Sequence, residues 1–224
     1  MKMYGSEPIE IATDVVVDND QMYFYQYLPI KLAGFTDSIA LPKQLDRLNL
    51  IIEKVVKDFQ SKVLKPKYGV TYKSLNEYRD HYIYLTAKCL YIKSGENLNR
   101  LGWHCDGFMS DDINYIWCDC IPTEYVIGTF ELIQDHRESI EQMNRLFYNS
   151  EPLKCKPNSI YRLDETVIHR CDYNHSKDAV LRHFVKVSFS KEKYNLKGNS
   201  HNYLLDYNWE MKDRDYSRNH PVKS

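Results

Sequence analysis

The chain has 224 residues, 43% of them hydrophobic and 27% charged, and carries a net charge of −1. That balance suits a folded chain with one sizeable core and excludes collagen-like and strongly charged disordered classes. It also excludes a global electrostatic pull toward nucleic acid or membrane. No apolar run reaches the length needed to cross a bilayer, and the opening MKMYGSEPIEIATD has no apolar leader core, so a cytoplasmic, non-membrane protein is expected. In that reducing setting the six cysteines read as free thiols. The 19 tyrosines favour a sheet-rich body. Residues 43–100 hold 12 Lys/Arg against 6 Asp/Glu, and residues 101–165 hold 5 against 12. Solvated faces account for that first, and an acidic metal-holding centre beside a basic surface second.

In chain order, residues 1–82 are expected to form a helical support. Its clearest element is a helix at about 43–64, where Leu45, Leu48, Ile52, Val55, Phe59 and Val63 make one apolar stripe between Pro42 and Pro66. HYIYLTAKCLYIKSG then alternates as a strand, with Ile83, Leu85, Ala87, Cys89 and Tyr91 sharing a face taken as inward. INYIWCDCI and YVIGTFELI read as further strands. A helical insert follows at about 136–147, capped by Asp135 with Glu138 and striped by Ile140, Met143, Leu146 and Phe147. SIYRL, ETVIHRC and VLRHFVKVSFS complete the strands. Residues 191–224 form a polar, tyrosine-rich tail or covering arm. The whole reads as one domain, 1–224, with a core at about 83–190: mainly β, a sandwich or barrel with helices outside it.

GWHCDGF, at 102–108, carries the chemistry. Alternate residues of a strand point the same way, so His104 and Asp106 converge while Cys105 turns aside. An imidazole and a carboxylate make a mixed site suited to a divalent transition metal, but two ligands seldom suffice. His169, in the β-like run ETVIHRC, faces inward between Val167 and Cys171 and supplies the third. Two histidines and one carboxylate are the facial set of non-haem Fe(II) oxygenases, with three positions open on one side. Folding the chain at YNHSKD would set Arg182 opposite His169, where its guanidinium can pair with the terminal carboxylate of a metal-held ligand. Lys186 on the same face is the alternative anchor. The Tyr91 hydroxyl is a further group for that carboxylate.

The order LYIKSGENLNRLGWHCDG, GTFELI, NSIYRLDETVIHRC, LRHFVKVSF resembles the Fe(II)/2-oxoglutarate-dependent dioxygenase superfamily, in its prolyl-hydroxylase-like and AlkB-like branches, over residues 83–190. Asn158–Ser159 and Ile127–Gly128 depart from the glycines common there. The resemblance implies a double-stranded β-helix, or jelly roll. It implies Fe(II) on His104, Asp106 and His169, 2-oxoglutarate gripped by Arg182, and O₂ as the oxidant. A C–H bond of a prime substrate is then hydroxylated with succinate and CO₂ as co-products.

Two other readings compete. A cupin-like, non-hydroxylating metal protein or isomerase would use the same three ligands without 2-oxoglutarate. A zinc module on Cys118, Cys120 and Cys155 or Cys171 has the wrong spacing. The prime substrate is unnamed by the sequence: a nucleotide or nucleic acid, a protein side chain and a small metabolite all fit. The basic, tyrosine-laced stretch at Lys62, Lys65, Lys67, Tyr68, Tyr72, Lys73, Tyr78 and Arg79 is a solvated surface first and a nucleotide surface second.

Overall fold

A computed structural model describes residues 2–18, 21–34, 37–64, 72–97 and 101–214. Two strands of eleven residues form its spine. β4 (Tyr82–Ile92) and β11 (Val180–Ser190) pair antiparallel without a break, from Tyr82 against Ser190 to Ile92 against Val180. Both are rich in branched and aromatic residues and are buried on both faces over most of their length, hence their nearly continuous apolar character.

Around them a six-stranded sheet forms in the order β2 (Ile9–Ala12), β9 (Ile160–Leu163), β5 (Ile113–Cys118), β11, β4, β3 (Tyr23–Lys31). A smaller sheet faces it, in the order β10 (Ile168–Cys171), β6 (Thr123–Val126), β8 (Leu153–Lys154). His104 adds one rung to the outer edge of β10. From β4 onward the chain passes large, small, large, small, small, large, small, large. This is a jelly roll, a double-stranded β-helix with flanking helices. β1 (Met3–Tyr4) and β7 (Phe130–Glu131) pair separately as a two-stranded ribbon.

The large sheet is covered outside by a helical run. It opens as a 3₁₀ turn at Lys43–Leu48, continues as α1 (Asn49–Asp58) and widens to a π turn at Phe59–Val63. The expected stripe is the buried face: Leu45, Leu48, Ile52, Val55 and Phe59 join Leu28, Leu85, Val185 and Val187 in the largest core cluster. Phe59 stacks on Phe189 at 3.9 Å between ring centroids, nearly parallel. The inner face of the same sheet meets the small sheet through Ile116, Cys118, Tyr125, Tyr161, Leu163 and Phe184. α2 (Tyr72–Arg79) follows; α3 (His136–Leu146) is the insert, and Asp135 caps it by accepting from the N–H groups of Arg137 and Glu138. No helix among the described residues is long and apolar enough to cross a membrane.

Two expectations are corrected, and of the tail and the covering arm the structure shows the arm. Residues 1–82 are not helical throughout, because β1, β2 and β3 precede the helix and two of them extend the large sheet. The polar segment after β11 is an ordered arm as far as residue 214. Tyr194 stacks on Tyr84 at 4.2 Å and donates to Asp112, and Asn202 donates to the carbonyls of Pro29 and Ala40. β10 and β11 are not a hairpin either. The turn between them carries the chain from the small sheet to the large one, tied to β4 by Asn174, which donates to the Ile92 carbonyl. Arg182 therefore lies opposite Leu90, and His169 opposite Tyr125.

The packing of the helix on the sheet sets the first prediction. Phe59→Ala, at a ring that is 1% exposed, should cost about 3–5 kcal/mol of unfolding free energy. Leu50→Ala, on the exposed side of the same helix, should cost within about 0.5 kcal/mol. Urea denaturation followed by far-UV circular dichroism measures both.

Candidate metal centre

His104 and His169 face each other across a single antiparallel rung. Each donates its N–H to the other's carbonyl, at 3.0 and 2.9 Å. Directly paired residues of antiparallel chains project to the same side of the sheet. The two rings accordingly lie 4.6 Å apart, both side by side on the inner face. Asp106, two residues beyond His104, comes to the same point and opens a turn that runs through Gly107 and Phe108 to Met109. One donor atom from each of the three lies within 4.8 Å of the others, and among the described residues no other trio of His, Cys, Asp or Glu is so placed. The cysteine zinc module is without a ligand set there. Cys105 turns away into the cluster under α3, its sulfur 3.9 Å from that of Met143.

The backbone also fixes which nitrogen of each ring faces the centre. His104 Nδ1 lies 2.9 Å from the Gly102 carbonyl and His169 Nδ1 lies 3.1 Å from the Val167 carbonyl. A carbonyl only accepts, so each Nδ1 carries the proton and each lone pair sits on Nε2. His169 Nε2 is 3.6 Å from Asp106 Oδ2. Two imidazole nitrogens, one carboxylate oxygen and no thiolate form a donor set that fits a mid-row divalent ion, iron(II) included.

α3 supports this arrangement from outside. Asn144 accepts from the Trp103 N–H at 2.9 Å and donates to the Trp103 carbonyl at 3.2 Å, so one amide replaces a neighbouring strand along the outer edge. Gly102 has φ +81°, and a Cβ there would fall 2.4 Å from Asn144 Oδ1. Trp103 donates to the Phe147 carbonyl, and the Arg170 guanidinium lies 4.5 Å from its ring centroid.

The other residues singled out from sequence are placed as follows. Lys186 reaches the trio: its Nζ is 2.9 Å from Asp106 Oδ2 and 3.3 Å from the Tyr27 hydroxyl. Burial alone would lift the Asp106 pKa, but the Lys186 charge beside it holds it well below the usual carboxylate range. Burial would likewise lower the Lys186 pKa, and Asp106 with Tyr27 more than reverses this. Arg182 lies on the same inner face, four residues up the strand and 1% exposed. Its Nε donates to the carbonyls of Cys120 and Ile121, and its buried Nη2 has no partner among the described residues. Tyr91 is not inward. It is 61% exposed and sits on the face of β4 that looks toward the helices, beyond their cover.

Sequence reasoning missed Tyr27 and Lys88. Tyr27 occupies a register break in β3, in a left-handed conformation at φ 48°, which turns its ring to within 5.0 Å of the Lys186 Nζ. No sequence signal marks it. Lys88 projects from β4 opposite Phe184, toward the small sheet; burial, with Lys186 and Arg182 nearby, pushes its pKa down to about 8. A lysine amid the apolar run of β4 was the readable clue.

In the basic stretch, Tyr78 is buried and Arg79 is engaged with Asp37, while Lys65, Lys67 and Tyr68 and the side chains of Tyr72 and Lys73 lie outside the described residues. An open groove of about 440 Å³ runs beside β2 and β8, lined by Glu10, Tyr125, Lys154 and Tyr161 among others. Its lysines are already paired, Lys154 with Glu124 and Asp172, and Lys156 with Glu10.

No family model matches the chain, and no curated protein matches it. Among solved structures it is similar to EvdO2 from Micromonospora carbonacea var. aurantiaca, at 14% identity and a TM-score of 0.32 over 62% of this chain and 64% of that one. The chain thus spans a little under two-thirds of that protein. EvdO2 complexed with 2-oxoglutarate matches at 12% identity and a TM-score of 0.36, over 72% of this chain and 76% of that one. EctD from S. alaskensis with 2-oxoglutarate and 5-hydroxyectoine matches at 10% identity and a TM-score of 0.29, over 80% and 87%.

Cobalt(II) titration followed by visible absorption tests the centre. His104→Ala and His169→Ala should each weaken binding by more than about a hundredfold, beyond the range of outer partners, with the melting curve little changed. Asn144→Ala leaves all three ligands in place and should weaken binding by about tenfold, because the segment carrying His104 loses its outer edge.

Proposed function

We propose that the protein is an Fe(II)- and 2-oxoglutarate-dependent oxygenase that hydroxylates a C–H bond of its prime substrate. The observation that carries this reading is the meeting of His104, Asp106 and His169 on the inner face of the jelly roll, with both imidazole lone pairs on Nε2. When bound, iron with 2-oxoglutarate and O₂ would supply the oxidising power, releasing succinate and CO₂.

The residues of the chain have distinct tasks. His104 and His169 hold the metal through Nε2, and their Nδ1–H bonds to the backbone keep the rings from turning. Asp106 is ionised at every physiological pH and brings the single negative charge. Arg182 anchors the far carboxylate of 2-oxoglutarate. Its Nε is spent on two carbonyls, and its buried Nη2 stays ready for an anion. Lys186, the alternative anchor, lies closer to the trio and is paired with Asp106 in the metal-free protein. The aromatic and aliphatic residues between the sheets keep water from the reacting atoms. A non-hydroxylating metal protein would need the trio and not the guanidinium, so a buried Nη2 with no hydrogen-bond partner among the described residues favours the oxygenase. The prime substrate carries no signature beyond the cationic lining, and a cytoplasmic setting with free thiols keeps iron ferrous.

Anaerobic addition of Fe(II) and 2-oxoglutarate should produce a visible metal-to-ligand charge-transfer band, lost in His104→Ala and His169→Ala. Arg182→Ala should retain the metal and raise the 2-oxoglutarate concentration for half-saturation by about 10- to 100-fold, the range for a hydrogen bond to a charged group. Absence of the band in the intact protein, or succinate release undiminished in either histidine variant, would overturn the reading.

A further inference from the structure

Lys186 is set against the metal trio in a way that the oxygenase reading does not use. Its ammonium is buried, the residue being 8% exposed, and among the described residues its one carboxylate partner is Asp106. The oxygen it holds, Asp106 Oδ2, is also the one that faces His169 Nε2. A divalent ion on the trio and the Lys186 ammonium therefore compete for one oxygen and one negative charge. Once the ion takes that charge, a buried ammonium is left beside another cation, an arrangement heavily penalised unless an anion arrives. Tyr27 completes the receiving surface. Its hydroxyl oxygen accepts from Lys186, so its own O–H points onward as a second donor.

We propose that Lys186, with Tyr27, is a carboxylate receptor that Asp106 keeps closed in the metal-free protein and that metal binding opens. Resting on the oxygenase reading, this makes acid binding at the site conditional on the metal through a protein switch as well as through chelation. The ligand is a carboxylate, borne by 2-oxoglutarate or by the prime substrate. Lys186 is a positioning group for Asp106 before loading and a binding residue after it.

Glutarate is the probe, because it has two carboxylates but no keto group with which to chelate. Isothermal titration in the presence of a metal chelator would compare wild type, Asp106→Asn and Asp106→Asn/Lys186→Met, each checked for folding by its melting curve. Asp106→Asn no longer holds the ammonium by charge, so it should bind glutarate without metal at least about tenfold tighter than wild type. The second substitution should remove that gain. Equal affinities for wild type and Asp106→Asn, or a gain that survives Lys186→Met, would overturn the proposal. Should Asp106→Asn fail to fold, zinc-loaded against zinc-free wild type gives the same comparison: zinc must raise glutarate affinity, and Lys186→Met must abolish the rise.

The source of the carboxylate is read from zinc-loaded protein saturated with 2-oxoglutarate. Blocked Lys186-dependent propionate binding assigns the receptor to 2-oxoglutarate, and persistent binding assigns it to a carboxylate-bearing substrate. A normal charge-transfer band with no gain in Asp106→Asn rejects the switch alone, whereas failure to bind metal rejects the oxygenase reading itself.

Discussion

The rung between His104 and His169 is the constraint on which the rest of the site depends. Two backbone hydrogen bonds fix two residues that are 65 positions apart to the same height and the same face. Among the described residues the rung is an isolated bridge, and so it needs help from both sides. On the inner side β10 is locked by four paired positions to β6. On the outer side Asn144 imitates the missing neighbour strand, and Gly102 leaves the space that lets α3 come close enough to do so. The helical insert is thereby part of the trio's support.

Electrostatics then decides what the inner face can hold. Lys88, Arg182 and Lys186 all project between the sheets, and Asp106 lies among them. Cations are seldom placed in such a space without a purpose, because each loses its hydration there. Burial first, and then Lys186 and Arg182, lower the Lys88 pKa, while the Lys186 charge depresses that of Asp106 against its own burial. An acidic ligand relieves the excess of positive charge, and a neutral or cationic one does not.

Much of this was legible from sequence, and the failures have physical causes. The i, i+2 spacing of His104 and Asp106 holds in any extended segment, so their convergence needed no fold. The helix stripe and the Asp135 cap are local and came through intact. Tyr91 was misplaced because β4 is buried on both faces. Alternation then identifies two sets of residues but not which set faces the metal, and the site lies on the side of Thr86 and Lys88. Arg182 was set opposite His169 because a short polar turn usually means a hairpin. In a jelly roll such turns also carry the chain between sheets, and only long-range pairing separates the two cases. The Tyr27 conformation and the Tyr194 arm depend on contacts 159 and 82 residues away, to Lys186 and Asp112, which no window of sequence contains.

Two of the five non-glycine residues at positive φ among the described residues lie beside the inward cations of β11. Tyr27 at φ 48° and Ile121 at φ 46° are both in the left-handed region, which a branched or bulky side chain normally avoids. Each such residue costs on the order of 1–3 kcal/mol and persists only where surrounding contacts over-determine it. Tyr27 is held by the bond from its N–H to Thr86 and delivers its hydroxyl to Lys186. Ile121 sits where the chain crosses from β5 to β6, and its carbonyl, with that of Cys120, receives Arg182 Nε. One strained residue thus positions each inward cation of β11.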